Sequence, residues 1–173
     1  NIKDIPDDGV EENIIKSITG RVISRDVSDY KVSLIDDNIE RLGISNIDVQ
    51  VYNALDKDDS LVGKADIVIA DLPCSGLGIM GRKPDIRYNI SPEKISDIIR
   101  LQRDILEVVS MYVKPGGTLV YSTCTINRSE NEDNADWICT SLGFTRDGEY
   151  VQMLPSPDKD NDGFFVARLI KNS

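Results

Sequence analysis

Apolar positions along the chain switch between two periods. The β-branched runs at 21–26 (RVISRD) and 48–52 (DVQVY) read as short strands. The stretch 65–71 (ADIVIAD) is almost continuously apolar, the pattern expected of a parallel strand buried on both faces. A further strand at 118–123 (TLVYST) follows a turn at 114–117 (KPGG), and another at 163–170 (GFFVARLI) lies near the C-terminal end. The segment 144–152 reads as a weaker strand ahead of a Pro- and Asp-rich hairpin loop at 155–162.

Helical spacing fills the intervals. In 28–42, Val32, Leu34, Ile35, Ile39 and Leu42 share a face, with Ser28 as N-cap and Gly43 as stop. In 92–113 the stripe runs from Ile95 through Ile98, Ile99, Leu101, Ile105 and Leu106 to Val109, behind Ser91 and Pro92. The stretch 129–142 opens on SENE, which predicts a capping box between Ser129 and Glu132, and ends at Gly143. A short helix is expected at 11–18. Strands alternating with helices predict one α/β domain over 1–173, a mostly parallel, doubly wound sheet that closes on a C-terminal antiparallel hairpin.

Composition narrows the chemistry. No apolar run reaches the roughly 18 residues that a membrane span needs. The three cysteines have no CxxC spacing and the chain has no histidine, so no metal site is expected. An odd thiol count without a signal-peptide pattern favours a reducing, cytoplasmic setting. The net charge of −10 is unfavourable for phosphate contacts. It is unevenly spread, however. Between 76 and 103 six basic residues face three acidic ones, leaving this stretch at +3. Charge pattern alone fits either a solvated helix face or a cradle for a backbone phosphate.

Ligands of open α/β sheets sit beyond the C-terminal ends of the strands, and the polar motifs cluster there. Asp26 ends the first strand. Asp71-Leu72-Pro73-Cys74, followed by a glycine-rich loop, leaves the third. Ser122-Thr123-Cys124-Thr125 ends the fourth. Two cysteines at the ends of strands expected to be neighbours lack any histidine base, which excludes Cys-His hydrolysis. A redox pair or a thiolate nucleophile remains.

DLPCSGLG, RKPDIR, STCTINRSENE and DGFFVARLIK, in this order, resemble the motifs of the Sun/Fmu-type ribosomal RNA cytosine-5 methyltransferases. The resemblance spans about residues 20–171. It implies a Rossmann-like methyltransferase fold, S-adenosyl-L-methionine as cofactor, and RNA, small-subunit ribosomal RNA in particular, as substrate. It further implies that Cys124 is the nucleophile that adds to cytosine carbon 6, making carbon 5 reactive. Cys74 then assists product release, Asp71 contacts the edge of the cytosine ring, and Pro73 shapes the pocket wall. Asp26, Asn53 and Asp71 fall on the cofactor side, Asn53 standing where the family usually has Asp. Arg82, Lys83 and Arg87 match a basic stretch near the RNA. Cys139, on a face with Ala135, Ile138 and Leu142, reads as core.

One family feature is not found. The first strand and its glycine-rich cofactor loop are expected near residues 9–12, where the sequence passes directly from NIKDIPDDG to the short helix. A non-catalytic paralogue that keeps the fold and binds RNA or protein is the competing reading. Retention of both cysteines and Asp71 weighs against it.

Overall fold

The computed structural model describes residues 20–156, 158 and 160–173. The expected helix at 11–18 and the place near residues 9–12 where the first strand and cofactor loop are expected lie outside the described residues. The chain divides into two compact units, 1–53 and 54–173.

In the first unit β1 (Val22–Asp26) and β2 (Ile47–Val51) pair in parallel, Asp26 opposite Val51, and α1 (Asp29–Leu42) joins them. The Ser28 hydroxyl accepts from Lys31 N at 3.4 Å and starts the helix. Gly43 ends it at φ 64°, a left-handed conformation that costs glycine nothing. Arg25 lies 4.0 Å over the Tyr52 ring and donates from Nε to Gln50 across the ladder.

The second unit holds a five-stranded sheet in the order β3–β4–β7–β5, with β6 also paired to β7. Its strands are β3 (Ala65–Asp71), β4 (Val113–Thr123), β5 (Phe144–Arg146), β6 (Val151–Met153) and β7 (Phe164–Lys171). β3 and β4 run parallel; β7 runs antiparallel to β4, β5 and β6. The expected C-terminal hairpin is therefore present as β6–β7, and the weak strand at 144–152 is two short strands.

Three helices follow β3 or β4: the single turn α2 (Ile86–Asn89), α3 (Pro92–Ser110) and α4 (Glu132–Ser141). α3 and α4 clamp each other where Arg103 donates to Asn134 at 2.9 Å and sits 5.0 Å over the Trp137 ring. The core lies beneath them, where Val68, Ala70, Leu106, Leu119, Tyr121, Ala135, Ile138, Phe165, Ala167 and Leu169 meet. The Leu, Ile and Phe side chains among them each contribute about 1.5–3 kcal/mol.

Several elements depart from the sequence expectation, each for a physical reason. α3 stops at Ser110 rather than 113, because Val113 is fully buried and pairs with Ala65 at the start of β4. The KPGG stretch thus lies inside a strand: the register passes from Ala65↔Val113 to Ile67↔Thr118. β3 is not buried on both faces. Val68 and Ala70 join the core, whereas Ile67 and Ile69 are 62% and 72% exposed. The capping box also fails. A 3-10 turn, Arg128–Glu130, precedes α4, and the Asn127 side chain accepts from Ser129 N at 3.2 Å in the role expected of Ser129. Glu130, between the two residues expected to form the box, is fully buried.

Candidate active site at the strand ends

β3 and β4 are neighbours in register, with Asp71 opposite Ser122, so both cysteine turns leave the same edge of the sheet. The Cys74 and Cys124 sulfurs lie 3.1 Å apart, both as free thiols. Asp71 is exposed at the end of β3, where its carboxylate accepts from the Ser122 hydroxyl at 3.1 Å. Burial first, and the hydrogen bond shared with Cys124 second, push the Cys74 thiol up from 9.0 to about 12. Cys74 is therefore a protonated thiol at neutral pH.

Below the sulfurs runs a buried polar network. The Glu130 carboxylate, with no solvent exposure, accepts from Ser75 N at 2.8 Å and from the Ser75 hydroxyl at 2.6 Å. It also accepts from the Asn127 amide at 3.0 Å, the Gln102 amide at 3.3 Å and the Thr125 hydroxyl at 3.5 Å. A buried carboxylate is costly unless donors surround it, and here both exit turns supply them. Gln102 donates to the Pro73 carbonyl at 2.9 Å and accepts from Asn134 at 2.8 Å. The Tyr121 hydroxyl donates to the Glu130 carbonyl, and burial pushes this phenol above its ordinary range. Asn131 accepts from the Thr123 hydroxyl at 2.6 Å and donates to the Thr125 carbonyl at 3.0 Å.

Two glycines let the backbones close up. Gly76 has φ 70°, which turns the chain into the short 3-10 turn Leu77–Ile79. Gly78 donates to the Cys124 carbonyl at 3.1 Å and accepts from Gly163 N at 2.8 Å. A Cβ at Gly78 would lie 2.5 Å from the Gly163 oxygen and 2.7 Å from the Cys124 oxygen, so only glycine fits.

A cleft of about 400 Å³ opens beside Cys74, lined by Arg82, Lys83 and Lys94 together with Ile86, Ile90 and Ile98. Of the expected basic residues, Arg82 and Lys83 reach this cleft. Arg87 is exposed on α2 and is not part of its lining. Arg82 also pairs with Asp162 at 3.0 Å. Pro73 is exposed, with its carbonyl held by Gln102. Cys139 is half-buried against the core, and burial raises its thiol.

In the first unit, Asp26 closes β1. One of its oxygens accepts from Ser28 N at 2.9 Å and the other pairs with Lys31 at 3.3 Å. Asn53 lies two residues beyond the end of β2, at the same edge of the β1–β2 pair, since Tyr52 N donates to the Asp26 carbonyl at 3.0 Å. Among the described residues no group of His, Cys, Asp and Glu could hold a metal ion, and no helix is long and apolar enough to cross a membrane.

Residues 13–170 match the family described as 16S rRNA methyltransferase RsmB/F. The chain belongs to this family. Its relatives include the ribosomal RNA small subunit methyltransferase F of Salmonella paratyphi A, 35% identical over 175 residues, covering 89% of this chain and 36% of that protein. The enzyme of the same name from Aliivibrio salmonicida is 31% identical over 172 residues, with the same coverage. The chain thus spans a little over a third of the length of these relatives. Among solved structures, NSun6 from Pyrococcus horikoshii with SFG matches at a TM-score of 0.74 and 25% identity, covering 95% of this chain and 45% of that one. A methyltransferase homolog from Pyrococcus horikoshii matches at a TM-score of 0.75 and 24% identity, covering 88% and 53%. The fold of this RsmB/F-family chain is therefore the Rossmann-like α/β fold of S-adenosylmethionine-dependent methyltransferases.

Sequence reasoning missed Glu130, Gln102, Ser75, Thr125 and Asn131. One signal was available: Gln102 lies within the apolar stripe of α3, between Ile98 and Leu106, where a polar side chain needs a buried partner.

Proposed function

We propose that this chain is the catalytic part of an S-adenosylmethionine-dependent enzyme that methylates carbon 5 of a cytosine in small-subunit ribosomal RNA. The observation that supports it most directly is the pair of free thiols 3.1 Å apart at the ends of β3 and β4. S-adenosylmethionine, when bound, supplies an electrophilic methyl group. The carboxylate of Asp26 suits the paired hydroxyls of a ribose, and the Asn53 side chain suits a base edge, so both fit the cofactor. Asp71 is assigned a contact at the boundary of cofactor and cytosine.

Carbon 5 of cytosine is a poor nucleophile. The sulfur of Cys124 forms a bond to carbon 6, which makes carbon 5 electron-rich. The exposed Asp71 carboxylate is assigned to the ring edge, and Pro73 to the wall of the base pocket, which the target enters after leaving its stack. After methylation the carbon 5 proton passes to solvent, its electron pair re-forms the carbon 5–carbon 6 double bond, and the Cys124 sulfur leaves carbon 6 as a thiolate. Burial favours the protonated form of the Cys74 thiol. This thiol lies within hydrogen-bonding reach of the departing Cys124 sulfur. Arg82, Lys83 and Arg87 are assigned to the RNA backbone, and the reaction to the cytoplasm, where both thiols stay reduced.

The test is methyl transfer by the full-length protein to small-subunit ribosomal RNA, with the product mapped by bisulfite sequencing, and trapping on RNA that carries 5-fluorocytidine. Methylation at one cytosine and a covalent adduct through Cys124 are expected. Protein that binds the RNA but neither methylates nor traps it would establish the non-catalytic paralogue instead.

A further inference from the structure

The two cysteines approach from different turns, and no covalent link fixes their spacing. Something buried must hold the turns together. The turn after β3 meets Glu130 through Ser75 N and the Ser75 hydroxyl, at 2.8 and 2.6 Å. The turn after β4 meets it through Thr125 and Asn127, at 3.5 and 3.0 Å. The Ser75 and Thr125 hydroxyls also touch each other at 2.8 Å. Ser75 and Thr125 each directly follow a cysteine, so one carboxylate fixes the neighbour of both sulfurs. Glu130 is fully buried and reaches neither thiol nor solvent.

We propose that Glu130 is a positioning residue that sets the spacing of Cys74 and Cys124, acting through Ser75 and Thr125. Ser75 N–H and the Gln102 and Asn127 amides can only donate to its carboxylate, at both of its oxygens. Glu130→Gln keeps size and shape but turns one acceptor oxygen into a donor amide, which leaves at least one of these donors unpaired and loosens the turn it anchors. The inference rests on the two-thiol chemistry proposed above only for its effect on turnover. The sulfur spacing itself is independent of RNA.

Two readouts on the full-length protein test it. The first is the rate at which diamide joins Cys74 and Cys124. The two thiols lose two electrons and two protons to diamide as the S–S bond forms, and the bond is mapped by mass spectrometry. In Glu130→Gln this rate is expected to fall about tenfold, since exchange depends on the approach of one sulfur to the other. The second is methyl transfer per folded molecule, normalised by thermal melting. Here kcat is expected to fall about 100-fold, with KM for RNA within about twofold of wild type, as misplacement of reacting groups by about 1 Å does. Ser75→Ala, which removes one anchor without reversing a donor, is expected to give smaller changes of the same kind. It carries the test if Glu130→Gln does not fold. Folded variants with wild-type diamide rates, or with kcat per folded molecule unchanged, overturn the proposal. Wild-type protein that joins the thiols readily but forms no RNA adduct would refute the proposed chemistry and leave the spacing role standing.

Discussion

The turn that carries Cys74 and the basic stretch that follows it border one cleft, yet they are built in opposite ways. Around the cysteines the buried groups named above are held by close partners: Glu130 meets five donors, and Gly78 is wedged between the backbones of Cys124 and Gly163. Arg82, Lys83 and Arg87 are exposed, and Arg82 has only the partly exposed ion pair with Asp162. The difference fits the proposed reaction: forming a bond to one ring carbon needs positions fixed to a fraction of an ångström, whereas a phosphate responds to charge at longer range. Changes at the thiols should therefore abolish or redirect chemistry, and changes in the basic stretch should only grade it.

The largest effect is expected at the nucleophile. Cys124→Ala should lower methyl transfer by about 1,000-fold or more, since in the proposed mechanism it removes the attacking sulfur. Cys74→Ala should instead accumulate a covalent protein–RNA adduct, visible as a band resistant to denaturing electrophoresis. If Cys74→Ala prevents the adduct and Cys124→Ala traps it, the two roles are exchanged. Gly78→Ala comes next. Its Cβ would meet backbone atoms at 2.5 and 2.7 Å, and overpacking of this kind costs about 3 kcal/mol, measurable by denaturant titration. An unchanged midpoint would mean that the two turns are looser than their contacts imply.

Lys83→Ala should weaken RNA binding several-fold. It should also reduce the slope of log K against log salt by about 0.7, the value for one phosphate contact on a single strand. Arg82→Ala should do less, because its charge is already shared with Asp162. A loss of kcat with unchanged salt dependence would move Lys83 from the graded side of the comparison to the fixed side. The smallest effect concerns pH. The folded protein holds the Cys74 proton up to about 12, while the unfolded chain releases it near 9.0. Between these values the unfolded state binds fewer protons, so stability falls as pH rises. Cys74→Ala should flatten that part of the melting profile, and a profile identical to wild type would mean that burial does not hold the proton.

The limits of sequence reading are visible in single residues. Strand β3 was legible from its apolar run to the residue, as was the start of α1 at Ser28, because period and capping are local properties. The stop of α3 at Ser110 was not, because Val113 belongs to a ladder whose partner, Ala65, lies 48 positions away. Glu130 was not singled out, for the same reason. SENE suggests a capping box between Ser129 and Glu132, and only the donors arriving from Ser75, Gln102 and Thr125 decide that the acid between them, Glu130, turns inward.

By itself, then, the sequence determined the alternation of strands and helices, the cysteines at two strand ends and the family they resemble. These follow from side-chain period, from turn residues and from short motifs, all readable within a few positions. Tertiary structure alone decided that the two sulfurs lie 3.1 Å apart, that Ile67 and Ile69 stay exposed while Val68 and Ala70 are covered, and that one buried carboxylate ties both turns. Each of these depends on groups far apart in the chain, whose approach is fixed by strand register and by the need to pair every buried donor and acceptor.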